Sequence, residues 1–168
     1  MELIKLFLLG ATGYLLAGLY DVAILRDKSL LRKFLYAGFF ITALPYPVIF
    51  FTWVSPLPGY FAWIIFPLVI VFALLLVYSV MIEIVLFSDG TGKLYRKGTY
   101  KISRHPGFIW YTIINVLGSI YYWNYRITML FMGLTLCNLI LIAVEDHIFF
   151  PKMFAEYEEY RKCTPFFF

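Results

Sequence analysis

Five long apolar runs constrain this chain more than any other feature of it. They cover residues 3–25, 34–54, 60–87, 107–123 and 127–150. A hydrocarbon core about 30 Å thick takes roughly 20 residues of helix to cross. The apolar residues are continuous rather than alternating, so barrel strands are excluded and helices remain as the spanning structure. Composition agrees. Of 168 residues, 62% are hydrophobic and 14% charged, against about 45–50% and about 25% in an ordinary soluble domain. A soluble fold of this size has no means of hiding that much apolar surface. The expected fold is an all-α integral membrane protein, a single membrane domain over residues 1–168. Five transmembrane helices are expected, the last two forming a helical hairpin followed by a short cytoplasmic C-terminal segment.

Charge sets the expected orientation. Arg26, Lys28, Arg32 and Lys33 follow the first run, while Lys93, Arg96, Lys97, Lys101 and Arg104 follow the third. Lys152, Arg161 and Lys162 lie in the tail, leaving only Lys5 and Arg126 for the opposite side. The basic side is expected to be cytoplasmic, with the N-terminus outside and the C-terminus inside. Topology thus accounts for the net charge of +4, and no nucleic-acid partner is expected. Glu2 beside Lys5 makes a weak cationic start, and the run behind it is long. The first run is therefore read as a retained span rather than a signal peptide. Gly10, Gly13, Ala17 and Gly18 suit close helix packing in lipid. Pro45 and Pro47 predict a kink in the second span. The third run, roughly 40 Å long as a helix, is expected to tilt or project beyond the membrane.

Polar groups inside these runs are candidates for function, because desolvating them is costly. Thr112, Asn115 and Ser119 share one helical stripe, and Thr135, Asn138 and Glu145 are read as another. A short turn joins the two helices, so the stripes are expected to face each other as a polar seam. Such residues also serve simply as glue between membrane helices. Glu145 must be charged and paired, or neutral and hydrogen-bonded. Glu83, near the end of the third run, reads either as a pair for a loop cation or as a substrate contact, and Asp21 as an interfacial partner of Arg26. Cys137 and Cys163 make no disulfide framework. No Cys/His metal spacing, nucleophile motif or phosphate-binding loop is present, so no metal is expected.

The segment Gly98-Thr99-Tyr100-Lys101-Ile102-Ser103-Arg104-His105-Pro106 leads into the fourth run. Pro106 suits the first turn of a helix, and the free N–H groups there attract a carboxylate. Further on stand Glu145-Asp146, then Phe154, Tyr157, Tyr160 and Pro165. Over residues 94–168 this order resembles the isoprenylcysteine carboxyl methyltransferase family and its phospholipid methyltransferase relatives. Their pattern is roughly G-x-Y-x-x-x-R-H-P-x-Y-x-G, a helical hairpin, an acidic pair, then F-G-x-x-Y-x-x-Y ahead of V-P. The resemblance implies an integral-membrane enzyme that takes S-adenosylmethionine from the cytosol and methylates a lipid or lipidated acceptor. It implies cofactor contacts from Tyr100, Arg104, His105, Pro106, Asn138, Glu145, Tyr157 and Tyr160. Glu83, Trp110 and Asn115 are the substrate candidates.

The chain also departs from that pattern. Phe108 replaces a Tyr and loses a hydroxyl. Trp110 replaces a Gly and adds bulk, and Pro151 interrupts the segment after Glu145. Phe166 stands where many relatives have an Arg associated with a substrate carboxylate. Methyl transfer from a sulfonium is an in-line displacement in a water-poor site and needs no covalent nucleophile. An amine or hydroxyl acceptor must lose a proton; His105 and Glu83 are the candidate bases, and no catalytic residue is assigned. Three alternatives remain beside carboxyl methylation: methylation of a phospholipid amine, an NADPH-dependent sterol-type reductase, and a non-catalytic membrane scaffold.

Overall fold

Helices make up about four fifths of the computed structural model, which describes residues 2–83 and 94–167, and no strand occurs among them. The end of the third apolar run and Lys93 lie outside the described residues. Helix α1 spans Glu2–Leu25. The second run is helical but interrupted, as α2 (Ser29–Leu35), α3 (Ala37–Ile41) and α4 (Pro45–Thr52). Pro45 cannot donate to the preceding turn, and the break before α4 falls where the proline pair predicts it. The earlier break at Tyr36 has no such sequence cause.

Helix α5 (Tyr60–Val77) carries Pro67 and widens into a π turn over Tyr78–Ile82. Helix α6 spans Pro106–Tyr122 and ends on Trp123 in a left-handed conformation (φ 41°). The Asn124 side chain then caps the first turn of α7 (Tyr125–Val144) by accepting from the Arg126 N–H. A second π turn, Glu145–Phe149, leads into α8 (Phe150–Met153) and α9 (Tyr157–Cys163). Four helical stretches among the described residues are long and apolar enough to cross a membrane: Glu2–Leu25, Ser29–Thr52, Tyr60–Ile82 and Tyr125–Met153. Helix α6, the fourth of the expected spans, has 17 residues.

Helix α1 lies between α3 and α7, and α6 between α7 and α5. The small residues of α1 permit this. A Cβ on Gly13 would come within 2.6 Å of the Thr42 backbone nitrogen, and one on Gly38 within 2.9 Å of that of Ala17. On its other side, Gly10 of α1 receives Leu134. Leu6, Tyr14, Ile49, Tyr111, Ile127 and Leu134 form the centre of the core. The outer surface is as apolar as the inside: Phe51, Val54 and Trp63 are 81%, 91% and 83% exposed. Side chains of this kind on the outside fit lipid and not water. An apolar cavity of about 310 Å³ lies among α4, α5, α6 and α7, against Ile49, Phe66, Ile114 and Phe131.

Candidate functional site

The chain reaches its Arg-His-Pro segment through a latch. Gly98 adopts φ +54° and starts a 3-10 turn, Gly98–Lys101. The fully buried Glu83 carboxylate accepts from the Thr99 backbone N–H at 2.9 Å, from the Thr99 hydroxyl, and from the Tyr95 hydroxyl at 3.3 Å. A side chain at 98 is excluded, because its Cβ would sit 1.6 Å from Glu83 Oε1. Glu83 is therefore taken up in fixing the loop.

Beyond the latch, two backbone devices aim Arg104 and His105. The Ser103 hydroxyl accepts from the His105 N–H at 3.1 Å and donates to the Phe166 carbonyl at 2.9 Å. The Arg104 N–H donates to the Pro165 carbonyl at 3.1 Å. The C-terminal segment thus crosses the start of α6 and is pinned there, with Phe167 stacked on Phe108 (centroids 5.1 Å apart). Pro106 occupies the first turn of α6 as expected.

Both side chains converge on Asp146. Arg104 Nη1 lies 2.7 Å from its Oδ1 and 2.8 Å from its Oδ2. His105 Nε2 lies 3.3 Å from Oδ1, and the Tyr157 hydroxyl donates to the same oxygen at 2.5 Å. Arg161 Nε stands 3.8 Å away. Asp146 is wholly buried, so its charge depends on these partners. Phe166 closes the assembly from above: its ring lies 4.8 Å from the His105 ring and 5.3 Å from the Arg104 guanidinium. Burial lowers the His105 pKa below its ordinary value of 6.5, against the opposing pull of Asp146. At neutral pH the ring is uncharged and its Nε2–H donates to Asp146. Burial, and then the hydrogen bond to Asp146 and its charge, raises the Tyr157 phenol. Tyr160, which donates to the Tyr100 carbonyl at 2.6 Å, is pushed up to about 12, first by burial.

Glu145 occupies a different place. It is half-buried and turns to Asp21 of α1, within hydrogen-bonding reach. It makes no ion pair among the described residues. The Tyr100 phenol sits near both Glu83 and Glu145, and burial together with those charges raises its pKa. The structure therefore draws together Tyr100, Arg104, His105, Pro106, Glu145, Tyr157 and Tyr160 at one end of the bundle. Asn138 is half-buried on α7, with no side-chain hydrogen bond among the described residues.

The other candidates stand apart. Asn115 is buried in mid-bundle, donating to the Thr135 hydroxyl at 2.8 Å and accepting from the Tyr46 hydroxyl at 2.8 Å. Tyr46 also meets the Tyr111 hydroxyl at 2.6 Å. That is the polar seam expected between α6 and α7, but narrower. The Thr112 and Ser119 hydroxyls bond to carbonyls of their own helix, Phe108 and Asn115. Trp110 stacks on Phe72 of α5, and its indole N–H is buried without a partner.

Asp146 and Phe166 are the residues that the sequence reading undervalued. The signal for Asp146 was present. It follows Thr135 by eleven residues, about three full turns, and so shares the face of α7 that meets α6. Glu145 instead follows Leu134, which meets Gly10 of α1, by the same eleven residues. The two acids of the pair therefore face different helices.

Two polar groups at this end of the bundle are not fully used by the fold: the Arg104 Nε–H, buried without a partner, and the Glu145 carboxyl, which meets Asp21 but no cation among the described residues. One is a donor for a carboxylate; the other is an acceptor for an ammonium or a sugar hydroxyl. These residues fit the polar ends of an amino-acid-bearing cofactor. Among the described residues, no group of three or more His, Cys, Asp or Glu side chains is placed to hold a metal ion. Compared with known proteins, the chain matches no family model, and no curated protein or solved structure matches it significantly.

Proposed function

We propose that this chain is a five-span membrane methyltransferase of the isoprenylcysteine carboxyl methyltransferase type. On this reading α6 also crosses the membrane, as the fourth of five spans, the N-terminus lies outside, and the site opens to the cytosol. The observation that carries the proposal is the meeting of Arg104, His105, Asp146 and Tyr157. Segments more than 40 residues apart in the chain come together at one carboxylate. The motif resemblance implies one pocket for Arg104, His105 and Tyr157, and hydrophobic patterning alone does not.

Arg104, through its unengaged Nε–H, and the first turn of α6 would hold the carboxylate of S-adenosylmethionine. Glu145 would hold its ammonium or ribose, and Tyr100 would line the same side. When bound, the cofactor supplies an electrophilic methyl group on a sulfonium. The protein's own part is positional. Asp146 fixes the guanidinium, and Tyr157 and His105 fix Asp146. Phe150 and Phe166 keep water from the ring of His105. Neither His105 nor Glu83 is assigned as a base, since each is held by hydrogen bonds within the fold. The acceptor is lipidic, and with Phe166 in place of an arginine it is not held by a cation at that position.

The test is calorimetric titration of S-adenosylmethionine into the detergent-purified full chain, with NADPH in parallel. Glu145→Gln is the informative variant, because Glu145 balances no cation in the fold. Saturable binding that this variant weakens at least tenfold is expected. A second reading, a non-catalytic membrane scaffold, is favoured by the seating of Phe166 over Arg104 and His105. A folded chain that binds neither compound would establish that reading, and NADPH binding alone would turn the assignment to a reductase.

A further inference from the structure

A second recess, with polar and basic groups in its lining, lies far along the sequence from these residues, between the end of α1 and α2. It has a volume of about 470 Å³ and is lined by Tyr20, Ser29, Arg32, Lys33 and Tyr36. The last four recur at i, i+3, i+4 and i+7, so one face of α2 presents a hydroxyl, two cations and a phenol together. Tyr20 of α1 forms the opposite wall, its ring 6.0 Å from that of Tyr36 and 5.6 Å from that of Phe39. No acid lines the recess. Asp27 reaches Arg32 at 3.3 Å from the rim, but its side chain is 94% exposed, which makes it a weak competitor in water. Lys33 has no ion-pair partner among the described residues.

We infer that this recess binds the phosphate of an anionic membrane phospholipid. Arg32 offers a planar fork to phosphate oxygens and Lys33 a point charge; the Ser29 hydroxyl and the two phenols supply further donors. The surroundings select a lipid over a free anion. On the remaining faces of the same short helix, Leu30, Leu31 and Phe34 are 69%, 49% and 71% exposed. Acyl chains of a lipid held in the recess would lie along them. The recess also stands just past Leu25, at the end of an apolar helix, where tyrosines and basic residues meet headgroups. This inference is independent of the methyltransferase reading, since α2 contributes none of the residues around Asp146.

Native mass spectrometry of the full chain in nonionic detergent tests it, with thermal midpoints as a second readout. Dioleoylphosphatidylglycerol, dioleoylphosphatidylcholine and inorganic phosphate are the probes. We expect phosphatidylglycerol to bind preferentially and raise the midpoint. Arg32→Gln with Lys33→Gln should weaken it about tenfold or more, whereas Lys97→Gln with Lys101→Gln, which removes the same charge elsewhere, should change it less than twofold. Should the first pair fail to elute as a folded species, Ser29→Ala with Tyr36→Phe takes its place, with a smaller loss expected. Equal binding of phosphatidylcholine, or equal loss in both charge pairs, would overturn the site. Inorganic phosphate raising the midpoint as far as the lipid does would overturn the lipid assignment.

Discussion

Two polar assemblies hold this bundle, and they are built on opposite principles. In mid-bundle, Tyr46, Tyr111, Asn115 and Thr135 are neutral, and each is satisfied by another member. Where α6 starts and α7 ends, Arg104, His105, Tyr157 and Arg161 gather around one buried carboxylate. A neutral network loses little when one member goes, because its neighbours find other partners within the helices. A charged one fails as a unit, because removing one partner strands the other in a low-dielectric site. The charged assembly keeps polar groups that the fold does not fully use. The Arg104 Nε–H and the Glu145 carboxylate lie at the charged assembly, whereas the mid-bundle network presents nothing to a ligand. The difference separates what joins helices from what is prepared to bind.

The sharpest break between the two should come from Asp146→Asn. It leaves the Arg104 guanidinium buried without a counter-charge, a loss of about 3–5 kcal/mol. We expect the detergent-solubilised chain to lose its monodisperse elution peak or its cooperative thermal transition. Asn115→Leu should be milder, about 1–2 kcal/mol, visible as a lower midpoint with the elution profile unchanged. If that variant proved as damaging as Asp146→Asn, the contrast drawn above would be wrong. Protons offer a third handle. His105 has a folded pKa below its unfolded value near 6.5, so the unfolded chain takes up the proton first. Stability should therefore fall as pH drops below about 6.5 and level off below the folded value. Thermal midpoints from pH 8 to 5 measure this, and His105→Asn should flatten that part of the curve. Thr112→Ala and Ser119→Ala should do least, within about 0.5 kcal/mol, since each hydroxyl only returns to its own helix; a larger drop in midpoint for either would place it back in the seam.

The sequence reading reached the fold where physics is repetitive. Four of the long apolar runs, the proline pair at the start of α4 and the small residues of α1 each act through one rule, and each has its counterpart in the bundle. The seam between α6 and α7 was legible at Asn115 and Thr135, whose positions follow from helical spacing. It was not legible at Thr112 and Ser119, because a hydroxyl in a helix has a carbonyl of the preceding turn within reach. Glu145 and Asp146 were the harder case. Adjacent residues point about 100° apart, so assigning the wrong member of the pair exchanges the helix that each acid meets. Phe166 was hidden for a different reason. Its position depends on the Arg104 N–H bonding the Pro165 carbonyl, a contact across some 60 residues that local patterning does not encode.

The latch at Gly98 bears on how an alignment of relatives should be interpreted. The missing side chain there is required by φ +54° and by a carboxylate in the space a Cβ would take. Selection on that position acts through the fold of the loop, whether the chain is an enzyme or a scaffold. A glycine retained opposite position 98, together with an acid opposite Glu83, would mark descent of the architecture and nothing more. Retention of an acid opposite Glu145, which balances no cation among the described residues, would be the trace of a ligand.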